Sequence, residues 1–187
     1  MSRGSPAGPD PNPRAEHVTV DEPDRAVVAA QLGRSPRAVE SVAHRCPCGL
    51  PDVVRTAPRL PDGTPFPTLF YLTCPRAVSA VSRLEASGLM REMTERLGSD
   101  PGLAARYLAA HQDYLTRRSE LAEVSEIAGV SAGGMPTRVK CLHVHLAHAL
   151  AVGPDVNPFG DETRELVGEW WREGRCVCAP TVKEGMA

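Results

Sequence analysis

The sequence predicts an α+β domain in which a small three-stranded antiparallel sheet is followed by several packed helices. Three short segments between residues 37 and 74 are rich in β-branched and aromatic residues and are separated by proline and glycine. From Pro75 onward, apolar residues recur instead at helical spacing. The 187 residues suit a single domain, and a hydrophobic share of 42% can fill one core. We therefore expect one domain over residues 21–173, a disordered leader over 1–20 and a flexible tail over 174–187.

The first half of the chain is predicted to contain one helix and the three strands. A short helix fits residues 20–34, where Pro23 can occupy the first turn and Gly33 can end the helix. The loop "PRLPDGTPFPT" contains four prolines and a glycine, which exclude both a helix and a central strand. An antiparallel meander is therefore expected, with strands over 37–46, 52–57 and 68–74.

The second half of the chain is predicted to be helical. Asp100 and Pro101 form a strong helix start, while Thr137 is the expected cap of a largely buried helix that ends at Gly153. Residues 119–129 are expected to continue or restart the preceding helix. Helices are accordingly predicted over 75–88, 89–98, 101–118 and 137–152, and from Asp161 through "ETRELVGEWWREG".

Composition and charge exclude several classes of function. The net charge is −2, so no overall positive field attracts nucleic acid or an anionic membrane. The basic pairs Arg117–Arg118 and Arg138–Lys140 have no aromatic residues among them for base stacking. No apolar run reaches the ~18–20 residues of a membrane span, and the N-terminus lacks the apolar region of a secretory signal. We expect a soluble cytoplasmic protein that binds neither nucleic acid nor membrane.

Cysteine positions raise the question of a metal site. In a three-stranded meander, the turn with Cys46 and Cys48 and the end of the third strand with Cys74 lie at the same edge of the sheet. Cys141, from the 137–152 helix, is the expected fourth ligand. Thiolates suit zinc at a closed four-ligand site, with an iron–sulfur cluster as the second choice. The alternative is that these cysteines are reduced residues packed in the core.

The same helix also carries three histidines. At about 100° per residue, Cys141, His145 and His148 share one helical face, while His143 points to nearly the opposite side. That face offers one thiol and two imidazoles to a metal. Cys176 and Cys178 lie in the predicted tail and are expected to have no structural role.

Polar residues on two loops predict a second kind of site. Arg59 and Asp62 lie in the proline-stiffened loop, and Arg138, Lys140 and His143 lie at the expected start of the buried helix. Arginine, lysine and a helix N-terminus bind anions, and histidine can transfer a proton. These residues could bind a small anionic metabolite, with His143 and Asp62 as catalytic groups. The alternative is a local turn ion pair, two solvated cations and a core histidine.

Several longer motifs resemble a known family. The segments "RCPCG", "TAPRLPDGTPFPTLFYLTCP", "GMPTRVKCLH" and "AHALAVGPDVNPFGDE" resemble the domain-of-unknown-function 501 family, which is common in actinobacteria. The resemblance covers residues 24–163 and implies a bacterial source. It implies no biochemical activity. His145 is outside the matching motif positions, and Cys176 and Cys178 lie beyond the family region.

Three functions stay open from the sequence alone. The first is a domain with a structural zinc site at the four cysteines, which binds a ligand or a protein partner. The second is an enzyme that acts on a small anionic, for example phosphorylated, metabolite through the polar loops. The third is a metal-free interaction module. No phosphate-binding glycine loop, serine nucleophile elbow or zinc-protease motif is present to decide among them.

Overall fold

The computed structural model describes residues 20–172 and confirms the predicted α+β fold. The predicted leader and tail lie outside these residues, apart from Val20. Helix α1 comes first, three strands follow, and the remaining helices complete the domain. The elements are α1 (Glu22–Leu32), β1 (Val39–Arg45), β2 (Pro51–Thr56), β3 (Phe70–Leu72), α2 (Pro75–Ala86), α3 (Leu89–Ser99), α4 (Pro101–Ser119), α5 (Leu142–Val152) and α6 (Pro158–Val167).

The sheet is the expected antiparallel meander with β2 in the centre. Val42 pairs with Val54 across the first ladder, and Val53 pairs with Leu72 across the second. Every residue of β2 is buried, which is typical of a central strand between two neighbours and beneath a helical layer. The sheet therefore separates the two edge strands by the full width of β2.

The starts of α1 and α4 follow their predicted signals. Asp21 accepts a hydrogen bond from the backbone N–H of Asp24 at 2.8 Å, and α1 ends at Gly33 in the left-handed region. Asp100 accepts from the backbone N–H of Leu103 at 2.9 Å, and Pro101 follows at the first helical position. Both helices therefore begin where their capping residues predict.

Three helix predictions differ from the structure. Residues 119–129 contain only a 3₁₀ turn at Ser125–Ile127 instead of a further helix. The buried helix begins at Leu142 instead of Thr137, because Lys140 N–H donates to Gly133 O at 2.7 Å and holds the preceding residues in a loop. The last helix begins at Pro158 instead of Asp161 and ends at Val167, well before the predicted end.

Helix α5 lies at the centre of the core. It packs against β3 and α6, and seven of its eleven residues are buried. The approach of α6 is close because Gly160 has no side chain: a Cβ atom there would lie 2.7 Å from the Cβ of Ala149 and would clash with the carbonyl oxygen of His145. The absence of this one methyl group determines how near the two helices come.

We predict opposite effects for alanine at two helical glycines. Gly160→Ala should lower the free energy of unfolding by about 1–3 kcal/mol, because the methyl group meets the α5 backbone. Gly98→Ala should raise it by up to about 1 kcal/mol, because this exposed α3 position has open space around it. Urea unfolding of both variants measures the difference, and equal effects would contradict the close helix contact.

Candidate functional site

Three ligand-type side chains meet between α2 and α5. Glu85 lies near the end of α2, and Cys141 and His143 lie at the start of α5. Their ligand atoms all lie within 4.8 Å of one another, the only such group of three or more His, Cys, Asp or Glu residues within residues 20–172. The His143 Nδ1 atom is 3.0 Å from Glu85 Oε1 and 3.9 Å from Cys141 Sγ. All three residues are partly exposed, so a ligand in solution can reach them.

Glu85 also holds the start of α5. Cys141 is the N-cap residue, but its side chain makes no capping hydrogen bond. Instead, the backbone N–H of Leu142 donates to Glu85 Oε1 at 2.7 Å, so a carboxylate from α2 pairs with the first N–H group of α5. This bond fixes the carboxylate beside the thiol and the imidazole.

The two ring nitrogens of His143 have different partners. Nδ1 faces the carboxylate and the thiol, while Nε2 lies 3.2 Å from the carbonyl oxygen of Val78 and 3.3 Å from Ser82 Oγ. The hydrogen bond to Cys141 is the main cause that raises the pKa of His143 to about 9; the negative charge of Glu85 adds to it, and burial opposes it. Near neutral pH the ring is therefore an imidazolium, and its Nδ1 proton faces both the carboxylate and the thiol.

A buried polar network lies behind this site. The carboxamide nitrogen of Asn157 lies 3.3 Å from His145 Nδ1 and 3.2 Å from His148 Nδ1, and its oxygen accepts from the backbone N–H of Gly160. Asn157 and both histidines are fully buried. One amide group thus caps α6 and connects it to two residues of α5.

The orientation of Asn157 determines both histidine tautomers. Because its oxygen accepts from Gly160, its NH₂ group donates to both Nδ1 atoms, and both rings must carry their proton on Nε2. His148 Nε2–H then donates to Asp113 Oδ2 at 2.8 Å, and His145 Nε2–H points at the carbonyl oxygen of Gly133 at 3.2 Å. Burial lowers the pKa of His145 to about 4, so this ring stays neutral.

Comparison with known proteins identifies the family. Residues 42–165 match the family described as protein of unknown function (DUF501). The chain belongs to the DUF501 family. No curated protein and no solved structure matches it. The match spans most of the sheet, all of α2 to α5 and most of α6. Both the Glu85–Cys141–His143 group and the Asn157 network therefore lie inside the DUF501 region.

The structure arranges the predicted zinc ligands differently. Cys46 and Cys48 are joined to each other by a disulfide, whereas Cys74 and Cys141 are free thiols. Cys46 belongs to the β1 side of the hairpin and Cys74 follows β3, and two strand spacings across β2 amount to about 10 Å. Of the four predicted ligands, only Cys141 takes part in the ligand group of the described residues.

The expected alignment of Cys141 with His145 and His148 is also absent. Cys141 is an N-cap residue with extended backbone, so the 100° rotation per residue does not apply to it. His145 and His148 point into the Asn157 network. The thiol meets His143 instead, the ring that the helical wheel places on the opposite side.

The predicted anion-binding residues lie on two different loops. Arg59 donates to the carboxylate of Glu126 at 2.9 Å and to the carbonyl oxygen of Gly63, while Asp62 accepts from the backbone N–H of Thr64 at 2.9 Å. This last bond lowers the pKa of Asp62. Arg59 and Asp62 therefore stabilise their own loop, and Arg59 pairs with a carboxylate outside it.

Arg138 and Lys140 lie in the loop that leads into Cys141, and both side chains are exposed. The sequence analysis places both residues in the first turns of this helix, but α5 begins only at Leu142, so neither lies within it. Their role in anion binding stays a prediction.

The sequence analysis does not identify Glu85 as a site residue, because a glutamate near the end of an amphipathic helix is indistinguishable, in sequence, from a solvated surface residue.

Among residues 20–172, no helix combines the length and the apolar character that crossing a membrane requires.

We predict that the protein loses stability as the pH falls from about 6.5 towards 4. His145 is held neutral in the fold with a lowered pKa, whereas an unfolded histidine binds a proton near pH 6.5. Its contribution is complete above pH 6.5 and decreases by up to about 1.4 kcal/mol per pH unit below it. Burial lowers the pKa of His111 too, which adds to the slope. Urea unfolding between pH 7.5 and 4.5 tests this, and a flat profile would contradict it.

We also predict that Asn157→Ala costs at least about 3 kcal/mol in unfolding free energy. The change leaves two buried imidazole nitrogens and one backbone N–H without partners, each at about 1–3 kcal/mol. Asp100→Ala is the matched control, because Asp100 caps α4 through a single bond and should cost about 1 kcal/mol. If both variants lose the same stability, Asn157 acts only as a helix cap.

Proposed function

We propose that the protein binds a zinc ion through Glu85, Cys141 and His143, with a fourth coordination position open to a ligand. Carboxylate, thiolate and imidazole are all zinc ligands, and a site with three protein ligands leaves one position for water or a substrate. This open site replaces the closed four-cysteine site that the sequence predicts. The proposal depends on one observation: the thiol and the carboxylate approach the same nitrogen, Nδ1, of His143.

Distances in the group are close to those around a tetrahedral zinc ion. Zinc bonds of about 2.3 Å to sulfur and about 2.0–2.1 Å to nitrogen and oxygen place neighbouring ligand atoms about 3.3–3.6 Å apart. The observed separations from His143 Nδ1 are 3.0 Å to Glu85 Oε1 and 3.9 Å to Cys141 Sγ. Shifts of a few tenths of an ångström would bring both separations into the range expected around zinc.

Groups around the three ligands match those that usually orient zinc ligands. A histidine that binds metal through one nitrogen commonly donates its other N–H to a carbonyl or carboxylate. His143 Nε2 meets the carbonyl oxygen of Val78 in this way, and the backbone N–H of Leu142 orients the Glu85 carboxylate. The imidazolium proton on Nδ1 occupies the place that a metal ion would take, so zinc and this proton compete.

A nucleophilic thiol is the second candidate function. Cys141 lies at a helix N-terminus and near an imidazole, an arrangement that is typical of nucleophilic cysteines. In a catalytic triad, however, the nucleophile and the orienting acid use opposite nitrogens of the histidine. Here both acidic groups face Nδ1, which favours a shared cation over a proton relay.

The open position would suit an anionic ligand. The loop that leads into Cys141 carries the exposed cations Arg138 and Lys140, and no described carboxylate forms an ion pair with either. A carboxylate or phosphate bound to zinc would add negative charge next to this loop. A ligand-binding role at a metal centre thus unites the two kinds of site that the sequence suggests.

We predict one zinc ion per chain in protein purified without a histidine tag, and its loss in Cys141→Ser and His143→Gln. Cys74→Ser is the matched control, since Cys74 is also an N-cap cysteine without a capping hydrogen bond but lies outside the ligand group. Elemental analysis and a zinc-release assay measure occupancy, and circular dichroism confirms folding. Zinc that is retained in Cys141→Ser but lost in Cys74→Ser would contradict the proposal and support the sheet-edge cysteine site that the sequence predicts. Zinc-free protein whose Cys141 is rapidly alkylated would favour the nucleophile.

A further inference from the structure

A second sulfur-containing feature lies at the tip of the β1–β2 hairpin. Cys46 and Cys48 are separated by Pro47 only, and a disulfide joins them with their Cα atoms 5.3 Å apart. Cys46 is 4% exposed and therefore buried, whereas Cys48 is exposed. The pair therefore consists of one exposed and one buried cysteine. It shares no residue with the proposed zinc site.

Hydrogen bonds hold this turn independently of the disulfide. Gly49 N–H donates to the Cys46 carbonyl oxygen at 2.8 Å, and Cys46 N–H donates to the carbonyl oxygen of Leu50 at 3.0 Å. The Arg45 guanidinium, paired with Asp24 of α1, also donates to the carbonyl oxygen of Gly49. The two sulfur atoms would therefore stay adjacent after reduction.

The crosslink contributes little as a structural constraint. A disulfide stabilises a fold chiefly by restricting the unfolded chain, and this effect grows with the number of residues in the closed loop. A sequence separation of two is close to the smallest loop that a disulfide can close. Since the turn is already fixed, structural stabilisation does not account for this pair of cysteines.

We propose that Cys46 and Cys48 form a thiol–disulfide exchange site, with a small thiol such as glutathione as its reaction partner. The partner's thiolate attacks Cys48 Sγ; a new sulfur–sulfur bond forms there, the Cys46–Cys48 bond breaks, and Cys46 leaves as a thiolate that then takes up a proton. A second partner thiolate attacks the partner's sulfur in this mixed disulfide and releases Cys48. The net reaction oxidises two partner thiols to one disulfide and reduces the protein to the dithiol, with two electrons transferred and all protons conserved.

Geometry assigns the two sulfur atoms to different roles. The attacked atom must be reached in line by the incoming thiolate, and only Cys48 is exposed. The leaving sulfur needs stabilisation of its negative charge, and the backbone N–H of Cys48 donates to Cys46 Sγ at 3.3 Å. The buried cysteine is thus the leaving group in reduction and the resolving thiol in the reverse reaction.

Single-cysteine variants of the full chain test this assignment. Cys46→Ser leaves the accessible thiol, and Cys48→Ser leaves the buried one. Each reduced protein is incubated with glutathione disulfide and digested with trypsin. Cleavage after Arg45 and Arg55 isolates both cysteines on the peptide 46–55, away from Cys74 and Cys141. The peptide 176–183, which carries Cys176 and Cys178, provides an internal reference in the same digest.

We expect Cys46→Ser to acquire one glutathione on peptide 46–55 at least about tenfold faster than Cys48→Ser. In the wild-type protein, excess glutathione should reduce the pair, and glutathione disulfide should restore it, while the circular dichroism spectrum stays unchanged. Equal rates in the two variants would overturn the proposal, and so would a Cys46–Cys48 pair that stays oxidised in excess glutathione while the protein is folded. Loss of bound metal in either variant, relative to the wild-type protein, would also overturn it, because the two cysteines would then be metal ligands.

Discussion

The carboxamide of Asn157 is the interaction on which the helical layer depends. It donates to His145 and His148 of α5 and accepts from the first turn of α6, all without access to solvent. Buried polar groups are stable only when every donor and acceptor is paired, and this arrangement has a single consistent assignment of protons. It therefore specifies the rotation of α5 about its axis as well as its contact with α6. Apolar packing alone would leave a helix of mostly Leu, Ala and Val free to rotate.

This constraint connects the core to the candidate metal site. Two imidazoles on the buried side of α5 are held in one orientation, so the first residues of the helix must point towards α2. The same short helix thus contains a histidine with a pKa near 4 in the core and another with a pKa near 9 at its start. Desolvation controls the first, and two acidic neighbours control the second. Because the environments differ so sharply over three residues, the position of the helix start decides which histidine is available for chemistry.

How much the sequence predicts depends on whether the signal is local. Strand order, the Asp100 cap and the start of α2 at Pro75 were predictable because propensity and capping act over a few residues. The start of α5 was not predictable, because the loop that delays it is closed by the bond from Lys140 to Gly133. Because of this shift, Cys141 lies just before the first residue of α5, and its predicted alignment with His145 on one helical face is wrong. Glu85 is 56 residues before Cys141, and only tertiary packing brings them together.

Helix stability explains two members of the ligand group but not the third. Glu85 satisfies the first N–H group of α5, and His143 forms an ion pair with it, so both have structural reasons to be where they are. Cys141 has none: at an N-cap, serine or aspartate would bond to the exposed N–H groups and stabilise the helix by about 1 kcal/mol, whereas this thiol forms no capping bond. It is not packed as a core hydrophobe either, since it remains partly exposed. A cysteine that makes no capping bond and is only partly buried, and whose sulfur faces an imidazole and a carboxylate, is best explained by the chemistry of its sulfur.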